Sequence, residues 1–303
     1  MLPLWAQAAE PNKFADFIDQ LARTPLSKVI IFVSVCTVLR IAIAPYLQGV
    51  PKHLRGGSGV RAAKFFNEAL DALVYAGVFV FLLIRPYCIQ AFKIPSGSML
   101  DTLQINDFIV ANKAIYRFTE PKHGDIIVFR PPKRAILDEK NFDSDGEVNV
   151  DYIKRCIGLP GDVVEIKNGD LYRNGQKVVE PYLKKTINSW LPEKAPCDFK
   201  LVKYKDQYWP VQTTADLVNA ESLENGVAKD YQLSNSNEME LVRNLPPVPI
   251  PKGFLLMVGD NRSQSFDGRC WGLVPRQDVI GRAEVIWMPM SRWRSVRDAT
   301  DQK

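Results

Sequence analysis

Two apolar stretches near the N-terminus, Val29 to Leu47 and Ala72 to Ile84, restrict this chain more than any other feature. The first is broken only by Arg40 and Pro45, and the second runs without a charge up to Arg85-Pro86. A helix needs roughly 20 apolar residues to cross a bilayer. The second stretch approaches that length by extending back through Leu70 and Ala69, which leaves Asp71 and Glu68 near the interface. The alternative is a pair of buried core helices in a soluble protein. Charge asymmetry favours the membrane. Gln48 to Glu68 carries Lys52, Arg55, Arg61 and Lys64 against Glu68 alone, whereas the residues before Val29 balance Lys13, Arg23 and Lys28 with Glu10, Asp16 and Asp19. Basic loops stay cytoplasmic. The expected partition is therefore an outer segment 1–28, a spanning helix 29–47, a basic cytoplasmic loop 48–68, a second spanning helix 69–85, and a domain 86–303 on the outer side. The first residues lack a basic n-region and a long apolar core, so no cleaved leader is expected.

The rest of the chain expects water. Over all 303 residues, 46% are hydrophobic and 24% charged, and the net charge is only +5. No basic stripe is interleaved with aromatics, so nucleic acid is not an expected partner, whereas a phospholipid surface is. After Pro86 the pattern turns to strands. Asp107 to Tyr116 and Asp125 to Phe129 are rich in Ile, Val and Phe. Gly161 to Val179 reads as a meander with turns at Asn168-Gly169 and Asn174-Gly175. Strand patterns return at Phe254 to Val258 and Ala283 to Met288, while about 185–245 is polar and weakly patterned. The expected fold is mainly β, an antiparallel-sheet domain anchored by two N-terminal transmembrane helices.

Ile94-Pro95-Ser96-Gly97-Ser98-Met99 begins ten residues beyond Ile84 and holds two serines on a Gly/Pro-punctuated segment. A serine nucleophile needs a base. The chain has only two histidines. His53 falls in the expected cytoplasmic loop, and His123 sits in the turn Pro121 to Asp125, so a serine–histidine arrangement is hard to assemble. Five cysteines without a CxxC pair, and so few histidines, give no metal-ligand spacing, and no metal or cofactor is expected. Lysine remains. It acts as a base only when burial lowers its pKa well below about 10.4. In Asp151 to Asp162, strand alternation puts Tyr152, Lys154 and Cys156 on one face and Ile153, Arg155 and Ile157 on the other. With the first face inward, Lys154 lies between an aromatic ring and a thiol. A third block, Gly259 to Arg269, is a polar loop whose Ser265 can hydrogen-bond a lysine amine.

Together these blocks resemble the bacterial type I signal peptidases. The likeness rests on Pro-Ser-Gly-Ser-Met at Pro95 to Met99, Asn-Asp-Phe-Ile-Val at Asn106 to Val110, Gly124 to Asp162 with its Tyr-Ile-Lys-Arg-Cys-Ile-Gly-Leu-Pro-Gly-Asp, and Gly259 to Ala283. Each block alone is a weak motif, but four in order behind two membrane segments are specific. The resemblance implies a membrane-bound serine endopeptidase of the bacterial inner membrane that cuts signal peptides from exported preproteins after small residues at the first and third positions before the scissile bond. The translocation machinery is a further candidate partner. The resemblance makes Ser98 the nucleophile, Lys154 the base, Ser96 an oxyanion donor beside the Ser98 N–H, Ser265 the group orienting the Lys154 amine, and Tyr152 a packing partner of the lysine stem. Asp260 would pair with Arg155, and Asp267 and Arg269 would brace the site. Phe92, Ile94, Pro95, Met99, Leu103, Ile109, Val128 and Ile153 would line two shallow pockets. Asp101 stands where the family usually has proline, Ser263-Gln264 replaces Asp-Asn, and Gly268 replaces a serine. A specialised maturation protease of a conjugation or pilus system, and a non-catalytic membrane-tethered β module, are the competing readings.

Overall fold

A computed structural model describes residues 24–51, 57–136, 138–183, 198–212 and 236–296. The chain forms two compact units, Met1–Ala91 and Phe92–Lys303.

The first unit is a helical pair. Helix α1 spans Leu26–Gly49, and α2 begins at Ser58 and runs to Tyr87, its stretch Phe79–Ile84 wound in wider turns. At 1.5 Å per residue both exceed the ~30 Å of a bilayer's hydrocarbon core. Their apolar side chains face outward: Ile31, Val38, Ile41, Phe65 and Tyr75 are each more than 60% exposed. Only 11% and 12% of their most apolar windows are buried within the chain, the reverse of what a core helix shows. Gly77 lets the helices approach, since a Cβ there would lie 2.9 Å from Val33 Cγ2. Arg40, which interrupts the first apolar stretch, reaches Asp71 of α2 at 2.5 Å. The expected loop 48–68 is shorter than its composition suggests, because it is helical from Ser58 onward. Charge does not end a helix, and beyond Gly59 the segment holds no breaker. Ala62, Ala63 and Ala69 favour helix, and Lys64 and Glu68 face each other one turn apart at 3.8 Å.

The second unit is built on two antiparallel sheets. Its strands, in chain order, are β1 Ile89–Lys93, β2 Phe108–Asn112, β3 Ile126–Phe129, β4 Tyr152–Gly158, β5 Val164–Lys167, β6 Asp170–Arg173, β7 Gln176–Lys177, β8 Phe199–Tyr204, β9 Gln207–Gln212, β10 Phe254–Val258, β11 Val274–Pro275, β12 Val279–Met288 and β13 Arg294–Ser295. The larger sheet runs β1-β2-β12-β3-β4-β10-β11 with β13 on β12, and the smaller runs β7-β6-β5-β8-β9. The meander turns form at Asn168-Gly169 and Asn174-Gly175, whose φ values of 52°, 79°, 54° and 78° are the left-handed ones that Asn and Gly tolerate.

Strand β4 lies inside its sheet. Ile127 of β3 opposes Lys154, and Val258 of β10 opposes Arg155. Both of its faces are covered. Ile153 packs on the cluster around Ile94 and Met99, Cys156 joins Trp271 and Phe129, and Ile157 joins Val164 and Phe199. One inward face was expected, but alternation cannot choose a face where both are dry.

The weakly patterned region 185–245 contains regular structure where it is described. β8 and β9 form a hairpin in register from Phe199↔Gln212 to Tyr204↔Gln207, and a short helix, α3, follows at Ser236–Asn244. The hairpin turn is Lys205-Asp206, with φ of 48° and 61° and no glycine. That missing signal made it illegible in the sequence. Residues 184–197 and 213–235 of this region lie outside the described part.

Candidate active site

The apolar residues after Ser98 hold it in place. Gly97–Met99 forms one tight turn following extended Ser96, and Leu103 N–H donates to the Met99 carbonyl at 2.7 Å. Met99 and Leu103 are fully buried, which anchors the turn to the core. From the other side the loop after β10 grips the same turn. Asn261 donates its backbone N–H to the Ser98 carbonyl at 3.1 Å and its Nδ2 to the Gly97 carbonyl at 2.9 Å. Gly259 permits that approach, because a Cβ there would lie 2.5 Å from the Ser98 carbonyl oxygen and 2.2 Å from Ser265 Oγ. Ser98 is 8% exposed, and its Oγ lies 3.4 Å from that of Ser96, an exposed residue.

Lys154 extends from β4 to the same point, and its Nζ donates to Ser98 Oγ at 2.6 Å. It is 5% exposed. Burial lowers its pKa from 10.5 to about 8, against the opposing pull of the Asp267 and Asp260 charges. The Tyr152 ring centroid is 5.7 Å from Nζ, and the phenol donates to the Ala135 carbonyl. Ser265 departs from expectation. Its Oγ is buried and makes no hydrogen bond to the Lys154 amine, lying close enough to the Asp267 carboxylate to help hold that group's pKa down. The amine instead turns to Ser98, and the Ser265 hydroxyl sits over Gly259.

The neighbouring cation is compensated. Arg155 donates Nε to Asp260 Oδ1 at 2.8 Å, Nη2 to Oδ2 at 2.6 Å, and Nη1 to the Gly124 carbonyl. Thr102 Oγ1 donates to the same carboxylate at 2.5 Å. Asp267 caps the one-turn helix α4 (Gly268–Trp271), accepting from the Arg269 backbone N–H, Nε and Nη2 and from the Gly259 N–H. Burial alone would raise the Asp267 carboxyl, but the Arg269 charge and these bonds outweigh it and hold it below the ordinary value. Arg269 also donates to the Arg262 and Ser265 carbonyls, which fixes the loop.

The expected pocket residues gather in one place, mostly as floor rather than wall. Ile94, Met99, Leu103, Ile109 and Val128 are each no more than 2% exposed, and Phe92 and Ile153 pack on them with part of their surface free. Pro95 is exposed and outside that cluster. His123 pairs with Asp162 at 2.6 Å in its turn rather than with Ser98, and His53 lies outside the described residues. No disulfide joins Cys156 to Cys270, whose Sγ accepts from Gln212 Nε2 at 3.3 Å. Reasoning from sequence missed Asn261, Gly259 and Thr102. The first two lie in the block that carried the resemblance, whereas nothing in the sequence marks Thr102.

A serine on a pinned turn, bonded to a buried lysine of lowered pKa on an antiparallel β-domain, defines a hydrolase of the serine–lysine class. The family model described as signal peptidase, peptidase S26, matches residues 66–288. The chain is 32% identical over 230 residues to the probable signal peptidase I-1 of Synechocystis sp., covering 76% of this chain and 86% of that one. It is 33% identical over 210 residues to a signal peptidase I of Leptolyngbya laminosa, covering 69% and 73%. It is 31% identical over 221 residues to the signal peptidase I of Aquifex aeolicus, covering 68% and 78%. A crystal structure of a signal peptidase I from Enterococcus faecalis covers 54% of this chain and 97% of its own at 24% identity and a TM-score of 0.31, an overlay too loose to transfer side-chain positions. The chain belongs to the signal peptidase family: it is a serine endopeptidase of signal-peptide removal. The maturation-protease and binding-module readings are not favoured.

Proposed function

We propose that cleavage runs through Ser98 as nucleophile and Lys154 as its base. The observation that carries this reading is the 2.6 Å contact between Ser98 Oγ and a buried amine whose pKa is lowered to about 8. At pH 7 about a tenth of such an amine is neutral, against about three in ten thousand for an unperturbed lysine. Neutral Lys154 takes the Ser98 proton as Oγ attacks the scissile carbonyl carbon. The Ser98 N–H and the Ser96 hydroxyl donate to the developing oxyanion. The Lys154 ammonium then protonates the departing amine, leaving an ester on Ser98. Lys154 next deprotonates the water that hydrolyses this ester, and the signal peptide leaves as a carboxylic acid.

Selection of small residues follows from the closed apolar floor. Phe92 and Ile153 stand beside Ile94, Met99 and Val128, which leave little depth for a large side chain, while Pro95 borders from the exposed side. The substrate main chain lies extended beside this edge, its backbone supplying the binding. The anchor is two-pass in the bacterial inner membrane, with the unit Phe92–Lys303 outside. The lengths of α1 and α2 and the basic residues Arg61 and Lys64 between the apolar stretches support this orientation.

The test is cleavage of a signal-peptide-bearing preprotein by the full chain in detergent. Ser98→Ala and Lys154→Arg each lower kcat by at least about a thousandfold with the fold intact, since arginine cannot give up its proton near neutral pH. Substantial turnover by either purified variant would remove that residue from the mechanism.

A further inference from the structure

The segment Glu180-Pro181-Tyr182, which follows the small sheet, touches neither Ser98 nor Lys154, yet it holds two arginines of the catalytic loops. The Tyr182 ring lies under the Arg155 guanidinium, 3.7 Å from Cζ to the ring centroid. Asp260 grips that guanidinium by its edge, so stacking from Tyr182 and two bonds from Asp260 leave it one orientation. The Tyr182 hydroxyl donates to Glu180 Oε1, and Arg262 Nη2 donates to the same oxygen. This ion pair is out of water, with Glu180 5% and Arg262 13% exposed. Arg262 also donates Nε to the Gly259 carbonyl and accepts on its own carbonyl from Arg269. Gly259 and Asn261, on the same loop, are the residues that press on the Ser98 turn.

We propose that Glu180 and Tyr182 are positioning residues for the reaction: a strap from the small sheet that locks Arg155 and Arg262, and through them the loop Gly259–Ser265 that fixes the Ser98 turn and walls off Lys154. The proposal rests on the Ser98–Lys154 reading above. It extends the machinery beyond the loops that carry the reacting groups, into a segment whose sequence shows no catalytic signal. It also assigns the small sheet a task, which is to present this strap. A buried carboxylate shared by a tyrosine and an arginine is costly unless all three stay paired, so loosening one member frees the others. The loop then drifts, water reaches Lys154, and the desolvation that lowers its pKa weakens.

The experiment uses the full chain in detergent with a preprotein substrate. Tyr182→Leu lowers kcat about 10- to 100-fold, the scale of a small misplacement of reacting groups, with a smaller effect on KM, because the strap's bonds go to Arg155 and Arg262. The acid limb of the pH–rate profile moves up from about 8 toward the ordinary lysine value by about half a unit or more. Tyr182→Phe keeps the ring under Arg155 but loses the bond to Glu180, so its kcat falls between those of wild type and Tyr182→Leu. Glu180→Gln keeps the shape, removes the charge that holds Arg262, and gives the same direction of change if Tyr182→Leu does not fold. Wild-type kcat and an unmoved acid limb in a folded Tyr182→Leu or Glu180→Gln variant overturn the proposal, as does a Tyr182→Phe variant as slow as Tyr182→Leu. Hydrogen exchange at the Asn261 amide, bonded to the Ser98 carbonyl, and at the Gln264 amide, bonded to the Asn261 carbonyl, separates the two readings. Faster exchange in the strap variants supports the strap even if Ser98→Ala proves active, and unchanged exchange overturns the strap even if Ser98→Ala is dead.

Discussion

The two faces of β4 treat a buried cation in opposite ways. Arg155 is entirely buried, yet two bonds to Asp260, one to the Gly124 carbonyl and the Tyr182 ring compensate its charge. Lys154, the residue before it, is as dry but bonds to a neutral hydroxyl. Its nearest carboxylates, Asp267 and Asp260, act at a distance and are engaged with Arg269 and Arg155. One strand thus carries a paired, permanent charge and, next to it, a charge that burial makes removable. The difference lies in which cation is given a carboxylate, since burial is shared.

The strongest way to break this contrast is to leave Arg155 unpaired. Asp260→Asn should lower unfolding stability by about 3–5 kcal/mol, because it strands a buried guanidinium. Denaturant unfolding measures this, and a variant within experimental error of wild type would mean the pair contributes nothing. The second change acts on the other face with opposite sign. Lys154→Met removes an uncompensated buried charge and should raise stability by about 3 kcal/mol at pH 7, the free-energy equivalent of its lowered pKa. Because folding favours the neutral amine, the unfolded chain binds more protons between pH 8 and 10.5. Wild-type stability therefore rises through that window, and the methionine variant's advantage is complete below pH 8 and gone above 10.5. If Lys154 is the proposed base, the acid limb of kcat/KM should lie near pH 8 in wild type. A stability difference between the two chains that does not vary with pH would refute the link between burial and basicity.

The smallest effect concerns Asp101, beside the Thr102 that completes the Arg155 side. Its φ is 75°, a left-handed value that proline, fixed near −65°, cannot adopt. Asp101→Pro should lower stability by about 1–2 kcal/mol, while Asp101→Asn, which tolerates that region, stays within about 0.5 kcal/mol. A proline variant as stable as wild type would show that the turn readily takes the family's usual residue. The sequence flagged the substitution, but its meaning came from the backbone angle.

Legibility divided along physical lines. Hydropathy marked the apolar stretches of both helices, but not the polar first turns of α2, which carry Arg61 and Lys64 and begin at Ser58. Asn-Gly turns announced the meander because their left-handed φ demands those residues. The Lys205-Asp206 hairpin meets the same demand with residues that announce nothing. Among the site residues, Ser265 was expected at the Lys154 amine and is not bonded to it, whereas Asn261, unremarked, grips the Ser98 turn.

By itself the sequence determined the two apolar segments, the β character of the remainder, and the ordered blocks that carry Ser98, Lys154, Asp260 and Asp267. These are local signals, set by hydropathy, turn chemistry and short motifs. Only the tertiary structure decided that Lys154 meets Ser98 across 56 residues of chain. It alone decided that both faces of β4 are dry, and that Arg155 receives a carboxylate while Lys154 receives a hydroxyl. The reason is that basicity and reach belong to a residue's surroundings, and those surroundings come from strands and loops distant in sequence.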